Sequence, residues 1–228
     1  VFLILSGLTL LSALVLWLIY PEKEESSGPV PMKKQLEGLK TVLTSRPFLA
    51  IAPLVMFSQS AQMAIQGLWA KPWLRDVAGL DDAECANHLM WMMAAMMAGF
   101  FLLGLLSERL YQARKISPVT VGVSAMSVFI VLQLLMAWGW TAQPMLLMTA
   151  FSFFATAGIL PYAGLSQIFP KDLSGRVSTS LNLTVFLGAF AVQWGLGEII
   201  NLWPTEAKGY APESYGAAFG SLSVLQLF

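Results

Sequence analysis

Long apolar runs separated by short polar gaps dominate the chain. Residues 1 to 20, 48 to 69, 88 to 107, 118 to 140, 144 to 166 and 178 to 200 share a single formally charged side chain, Glu198. A further run starts near Tyr215 and continues to Phe228. Each run approaches the roughly 20 residues with which a helix crosses a bilayer. A soluble bundle would need a polar face on most of these helices, and "MWMMAAMMAGFFLLGLL" (90–106) has none. The runs are also too long and too evenly apolar for barrel strands, and open sheet edges are excluded from lipid. The pattern therefore predicts an all-α polytopic membrane protein.

Composition sharpens this picture. Of 228 residues, 57% are hydrophobic and 11% charged, far below the roughly 25% charged residues of soluble domains. If every run spans, the gaps alternate between two sides. Lys23, Lys33, Lys34, Lys40, Arg46, Arg109, Arg114, Lys115, Lys171 and Arg176 fall on one side. Lys71, Arg75 and Lys208 make up the rest of the 13 basic residues, on the other. Basic residues in short loops favour the cytoplasmic face, so the first side is predicted to be cytoplasmic. Trp69, Trp73, Trp138, Trp140 and Trp203 gather at the opposite helix ends, where amphipathic rings suit the headgroup layer.

The first run lacks the basic start and the small-residue cleavage site of a signal peptide. It is expected to be one helix of a longer protein, with the last helix incomplete as well. The organisation predicted is a last helix of a preceding bundle over 1–20, a cytoplasmic central loop over 21–46 and a transmembrane bundle over 47–228. Within the loop, "EKEESSGP" is expected to be flexible. "MKKQLEGLKTVL" sets Met32, Leu36, Leu39 and Leu43 on one helical stripe, either along the membrane surface or as a plain linker helix.

Candidate chemistry is sparse. Cys85 and His88 are each the sole residue of their type, which argues against a disulfide or a His-based metal site. The formal net charge of zero gives no pull toward nucleic acid. No nucleophile, carboxylate pair or cofactor motif points to an enzyme. Polar side chains inside the runs are the more informative feature. "FSQSAQMAIQGLW" (57–69) places Gln59, Gln62 and Gln66 within an arc of about 60 degrees, which Trp73 would extend if the helix continued. Facing lipid, such a row would strand donors and acceptors in hydrocarbon, so it should point inward. Two readings stay open: amides joining helices, or amides lining a wet cavity.

The run at 144–166 carries Thr149, Ser152, Thr156 and "GILPY" (158–162). There Gly158 and Pro161 weaken the helix and predict a bend beside Tyr162. Asn182 and Gln193 lie on nearly one face of the run at 178–200. Glu198 sits about one turn from that run's end, where solvent exposure is expected rather than proton relay. Met90, Met92, Met93, Met96 and Met97 read as adaptable packing in preference to a soft-metal path.

Two stretches resemble a known family. "GLLSERLYQARK" (104–115) is similar to the cytoplasmic Gly-x-x-x-Asp-Arg-x-Gly-Arg-Arg/Lys loop of the major facilitator superfamily. Gly104 and Arg109 match, Glu108 replaces the aspartate, and Arg114 and Lys115 supply the later basic pair. "FPKDLSGRVSTSLNLTVFLGAFAVQWGLGEIINLWP" (169–204) resembles the penultimate helix of bacterial members and the loop before it. The resemblance implies the C-terminal half of a secondary transporter of a bacterial inner membrane. It implies a six-helix bundle working with an N-terminal one, moving a small solute by alternating access, with a coupling ion left open. It makes Gln59, Gln62, Gln66, Thr156, Tyr162, Asn182 and Gln193 candidates for the solute path. Gly104, Glu108, Arg109, Arg114 and Lys115 become candidates for a gating loop. A channel, or a membrane scaffold or receptor that transports nothing, is the competing reading.

Overall fold

The computed structural model describes residues 2–19, 31–204 and 209–227. The stretch expected to be flexible, 22–29, lies outside them. The chain forms two compact units, 1–36 and 37–228. In the first, helix α1 (Phe2–Ile19) is apolar on all sides. Its Thr9 and Ser12 hydroxyls donate back to Leu5 O and Leu8 O at 2.9 and 2.8 Å. Satisfied inside the helix, these groups are tolerable in hydrocarbon. Helix α2 (Met32–Leu43) follows and runs into the second unit.

The second unit begins where Ser45 caps α3 (Arg46–Ala64), its hydroxyl accepting the Phe48 N–H. The helix passes through one π turn (Ile65–Trp69) into α4 (Ala70–Asp76) without breaking. A reciprocal capping box between Asp81 and Glu84 starts the long α5 (Asp82–Arg114). It ends at Lys115, which adopts a left-handed conformation with φ 57°. Ser117 and Pro118 start α6 (Pro118–Ala137), and Pro144 starts α7 (Pro144–Ala155). A 3-10 turn (Thr156–Gly158) joins α7 to α8 (Ile159–Ile168). Then come α9 (Lys171–Ile200) and α10 (Pro212–Leu227). Six of the described helical segments are long and apolar enough to cross a membrane, counting the interrupted ones as wholes. The protein is an all-α, multi-pass membrane protein.

Three contacts organise the bundle, each through a missing Cβ. Gly188 on α9 lets Met56 and Ser60 of α3 approach, both within 2.6 Å of where a Cβ would sit. Ser60 then donates to Val185 O at 3.1 Å. Gly99 on α5 admits the Phe153 carbonyl and the Thr156 hydroxyl, again at 2.6 Å from a Cβ position. Gly122 on α6 faces Pro161 and Leu160 of α8. Lipid tails are as apolar as leucine, so close packing and interhelical hydrogen bonds, not water exclusion, hold such helices together.

The buried apolar residues fall into two clusters along the helix axes. One holds Val42, Phe48, Val55, Leu103, Met126 and Leu181 at the end predicted to be cytoplasmic. The other holds Ala61, Trp73, Met92, Phe151, Tyr215 and Phe219 at the opposite end. On α3 a polar run, Ser58, Gln59 and Ser60, lies between the clusters. Small residues stand at the matching level elsewhere, Gly99 on α5, Gly158 after α7 and Gly188 on α9.

One sequence expectation changes. The amide-bearing helix extends past 69, and Trp73 does not prolong its polar arc. It is fully buried and donates its indole N–H to Met136 O at 3.1 Å. The π turn inserts one extra residue and rotates every later side chain, which a constant helical period cannot anticipate. On α2 the residue that docks is Val42, fully buried, with Gly38 and Leu39 half-buried beside it. Met32, Leu36 and Leu43 of the expected stripe are exposed, which leaves both readings of this helix open.

Candidate solute-path site

The three glutamines of α3 do two different things. Gln59 Nε2 donates to Ala155 O at 3.0 Å, where α7 gives way to the 3-10 turn. In the tightened turn the Ile159 N–H goes to Thr156 O and Ala157 O instead of Ala155 O, which leaves the Ala155 carbonyl open to the amide. Gly158 makes this contact possible. A Cβ at that position would overlap the Gln59 amide. The amide helix and the bent helix, separate in sequence, therefore meet at Gln59, Ala155 and Gly158.

Gln62 and Gln66 form a second group. Gln62 Nε2 donates to Gln66 Oε1 at 2.9 Å. Both amide nitrogens also face thioethers: Gln62 lies 3.8 Å from Met96 Sδ, and Gln66 lies 3.6 Å from Met93 Sδ and 3.7 Å from Met96 Sδ. Gln66 is buried, Gln62 half-buried and Met93 exposed. Thioether sulfur is a weak acceptor. An oxygen acceptor reaching this point would take these N–H groups on better terms. The methionines thus act as more than space fillers here, a role that counting apolar positions cannot reveal.

The other expected residues are dispersed. Thr156 is buried; its hydroxyl donates to Phe153 O at 2.8 Å and packs against Gly99. Tyr162 is half-buried against the cytoplasmic-end cluster. Asn182 is exposed on α9 and Gln193 half-buried. In the 104–115 segment, Glu108 accepts from Gln112 Nε2 at 3.0 Å, and Lys115 Nζ stands 5.6 Å from the centre of the Tyr111 ring. Gly104 has open space where a Cβ would go. Arg109 and Arg114 are exposed and form no ion pair among the described residues.

Two polar constellations escaped the sequence reading. Asp76, at the end of α4, holds Arg75 Nε at 2.6 Å, the Tyr215 hydroxyl at 2.7 Å and the Tyr210 N–H at 3.0 Å. Tyr210 and Tyr215 pack edge to face on each other and on Trp69. The carboxylate clasps α4 to the start of α10, about 140 positions along the chain. Deep between α6 and α10, Gln133 Nε2 donates to Phe219 O at 3.1 Å and Ser223 Oγ at 2.8 Å, and its Oε1 accepts from Gln226 at 3.2 Å. An isolated glutamine in "FIVLQLLMA" was the available signal. Its partners lie in the last helix, beyond any local pattern.

Two apolar grooves lie apart from the amides. One between α9 and α10 is lined by Gly195, Leu222 and Leu225, and one between α5 and α7 by Trp91, Ala95 and Phe153.

Spanning helices packed through glycines, with buried and half-buried amides in an otherwise apolar bundle, define a polytopic helical membrane protein. The sequence profile of the Major Facilitator Superfamily matches residues 1–193, and the chain belongs to that family. Secondary transport is the general function that membership carries. No match to a curated individual protein was found.

Proposed function

We propose that this chain moves a small solute bearing hydrogen-bond acceptors across a cytoplasmic membrane by alternating access. Its second unit would act as the C-terminal of two bundles, in a bacterial inner membrane. The observation that carries the reading is the Gln62–Gln66 pair: Gln66 Nε2 meets only the thioethers of Met93 and Met96, and Gln62 Nε2 divides between Gln66 Oε1 and Met96 Sδ. A solute carbonyl, hydroxyl or carboxylate arriving from a cavity between bundles would displace the thioethers without leaving an amide unpaired. Gln59 serves the bend instead, holding the amide helix to the helix of Pro161 as the bundles rock. Arg109 and its basic neighbours would make contacts present in one orientation only. The step is non-covalent and asks for no catalytic group.

The test is solute uptake by the full-length protein in proteoliposomes. Gln62→Ala and Gln66→Leu are expected to raise the half-saturating solute concentration roughly fivefold to thirtyfold, the loss of one or two hydrogen bonds of about 1 kcal/mol each. Unchanged affinity and rate in both variants would remove the pair from the path. Accumulation against a gradient that collapses with the ion gradient separates a secondary transporter from the channel reading. A scaffold or receptor would show no uptake at all.

A further inference from the structure

Helix α2 carries three lysines, Lys33, Lys34 and Lys40, against one acid, Glu37. It is amphipathic in three sectors rather than two. At 100 degrees per residue, Met32, Leu36, Leu39 and Leu43 fall within an arc of about 60 degrees. Gly38 and Val42 form a neighbouring sector about 100 degrees round, and Lys33 and Lys40 border the stripe on its other side. The Gly38–Val42 sector is the one held by protein. Val42 is fully buried, and the Arg176 side chain from α9 lies over Gly38, where an added Cβ would stand 2.6 Å from Nη1.

That anchoring sets the depth of the helix. Only Thr44 and Ser45 separate its end from α3, whose candidate membrane span begins at Arg46. The last turns of α2 are therefore pinned at headgroup level, with Leu36 and Leu43 exposed. Arg176, over Gly38, adds a further basic side chain beside these last turns.

We propose that α2 is an interfacial helix that seats its Met32–Leu36–Leu43 stripe in an anionic phospholipid surface. Lys33 and Lys40 meet the headgroup phosphates, and Arg176 fixes the helix to α9. An apolar stripe flanked by lysines is the arrangement with which a helix lies in a membrane interface. The excess of basic groups selects anionic over zwitterionic headgroups. A solute path through α3 is not required, so failure of the Gln62 test would leave this proposal standing.

The experiment uses the full chain in nanodiscs of phosphatidylcholine with or without phosphatidylglycerol. Nitroxide probes are attached at Leu36→Cys and, on the opposite face, at Thr41→Cys; the buried native Cys85 stays unlabelled. In phosphatidylglycerol discs the Leu36 probe is expected to be accessible to oxygen and shielded from a water-soluble nickel chelate. The Thr41 probe is expected to show the reverse. Lys33→Glu with Lys40→Glu should lower the seated-to-lifted ratio of the Leu36 probe by at least roughly fivefold per lysine, equivalent to about 1 kcal/mol each. That loss should appear in phosphatidylglycerol discs and vanish in pure phosphatidylcholine. A Leu36 probe open to nickel, or closed to both reagents as under a protein cover, would overturn the seating. An equal effect of the lysine swap in both lipids would overturn the anionic preference.

Discussion

Replacing Gly158 by Ala tests how the amide helix is joined to the bent helix. The residue has ordinary right-handed helical geometry, φ −59° and ψ −18°, so alanine meets no backbone obstacle there. What it meets is the Gln59 amide, which would have to leave Ala155 O. Forcing an extra methyl into such a contact costs about 1–3 kcal/mol. The interhelical hydrogen bond lost with it is worth about 0.6 kcal/mol on average in membrane bundles, up to about 1.7. Alanine's helix propensity returns about 1 kcal/mol. Gly158→Ala should therefore destabilise by about 2 kcal/mol.

Gln59→Ala removes only the hydrogen bond and should cost about 1 kcal/mol. The informative variant is the double. Once the Gln59 side chain is gone, the alanine methyl has room, and its helix propensity offsets the lost bond. The double variant should then lie near the parent rather than about 3 kcal/mol below it, a coupling well outside the few tenths expected of independent sites. Equilibrium unfolding in mixed detergent, followed by tryptophan fluorescence, measures all four forms. Gly195→Ala, where a Cβ meets nothing within 4 Å, is the control and should be neutral or stabilising. If the two single effects simply add, Gln59 and Gly158 do not share the space, and the junction described here is wrong.

Three further outcomes follow from other contacts. Asp76→Asn should lower stability by about 1.5–3 kcal/mol, the value of hydrogen bonds to a charged group, and Tyr215→Phe by the lower end of that range. Both should speed amide hydrogen exchange over residues 209–214, and unchanged exchange would mean the clasp does not hold the start of α10. Gln133→Leu should cost about 1–3 kcal/mol because it strands the Gln226 amide, and adding Gln226→Leu should recover part of that in a thermal melt. Gly99→Val sets a side chain against the Phe153 carbonyl. It should destabilise by about 1–3 kcal/mol or more, since backbone cannot rotate away as a side chain can; a melt within error of the parent would refute the close α5–α7 approach.

The solute-path candidates were unevenly legible. Three amides in an apolar run announced an inward-facing helix, and Gly158 with Pro161 announced a bend. Neither signal said that one amide would cap the bend while the other two turned to methionines. The methionines of α5 looked like filler because sulfur carries no periodic signature. Trp73 was misplaced because the π turn before it shifts the helical register by one residue, and nothing in "IQGLW" marks that turn. Asp76 stood at the edge of an apolar run, where an acid ordinarily meets solvent; its partners, Tyr210 and Tyr215, come from a loop and helix far along the chain.

The sequence alone determined the class of protein, its spanning segments and the bias of its basic loops. Those properties depend on the transfer of each residue into hydrocarbon, a local and nearly additive quantity that can be summed along a window. Which helices touch, and which amide meets which carbonyl, was decided only in three dimensions. Contacts inside lipid turn on missing Cβ atoms and satisfied polar groups at positions remote in sequence, as Gly158 beneath Gln59 and Gly99 against Phe153 illustrate. A glycine's value there lies in what sits opposite it, and the one-dimensional pattern carries no record of its neighbour.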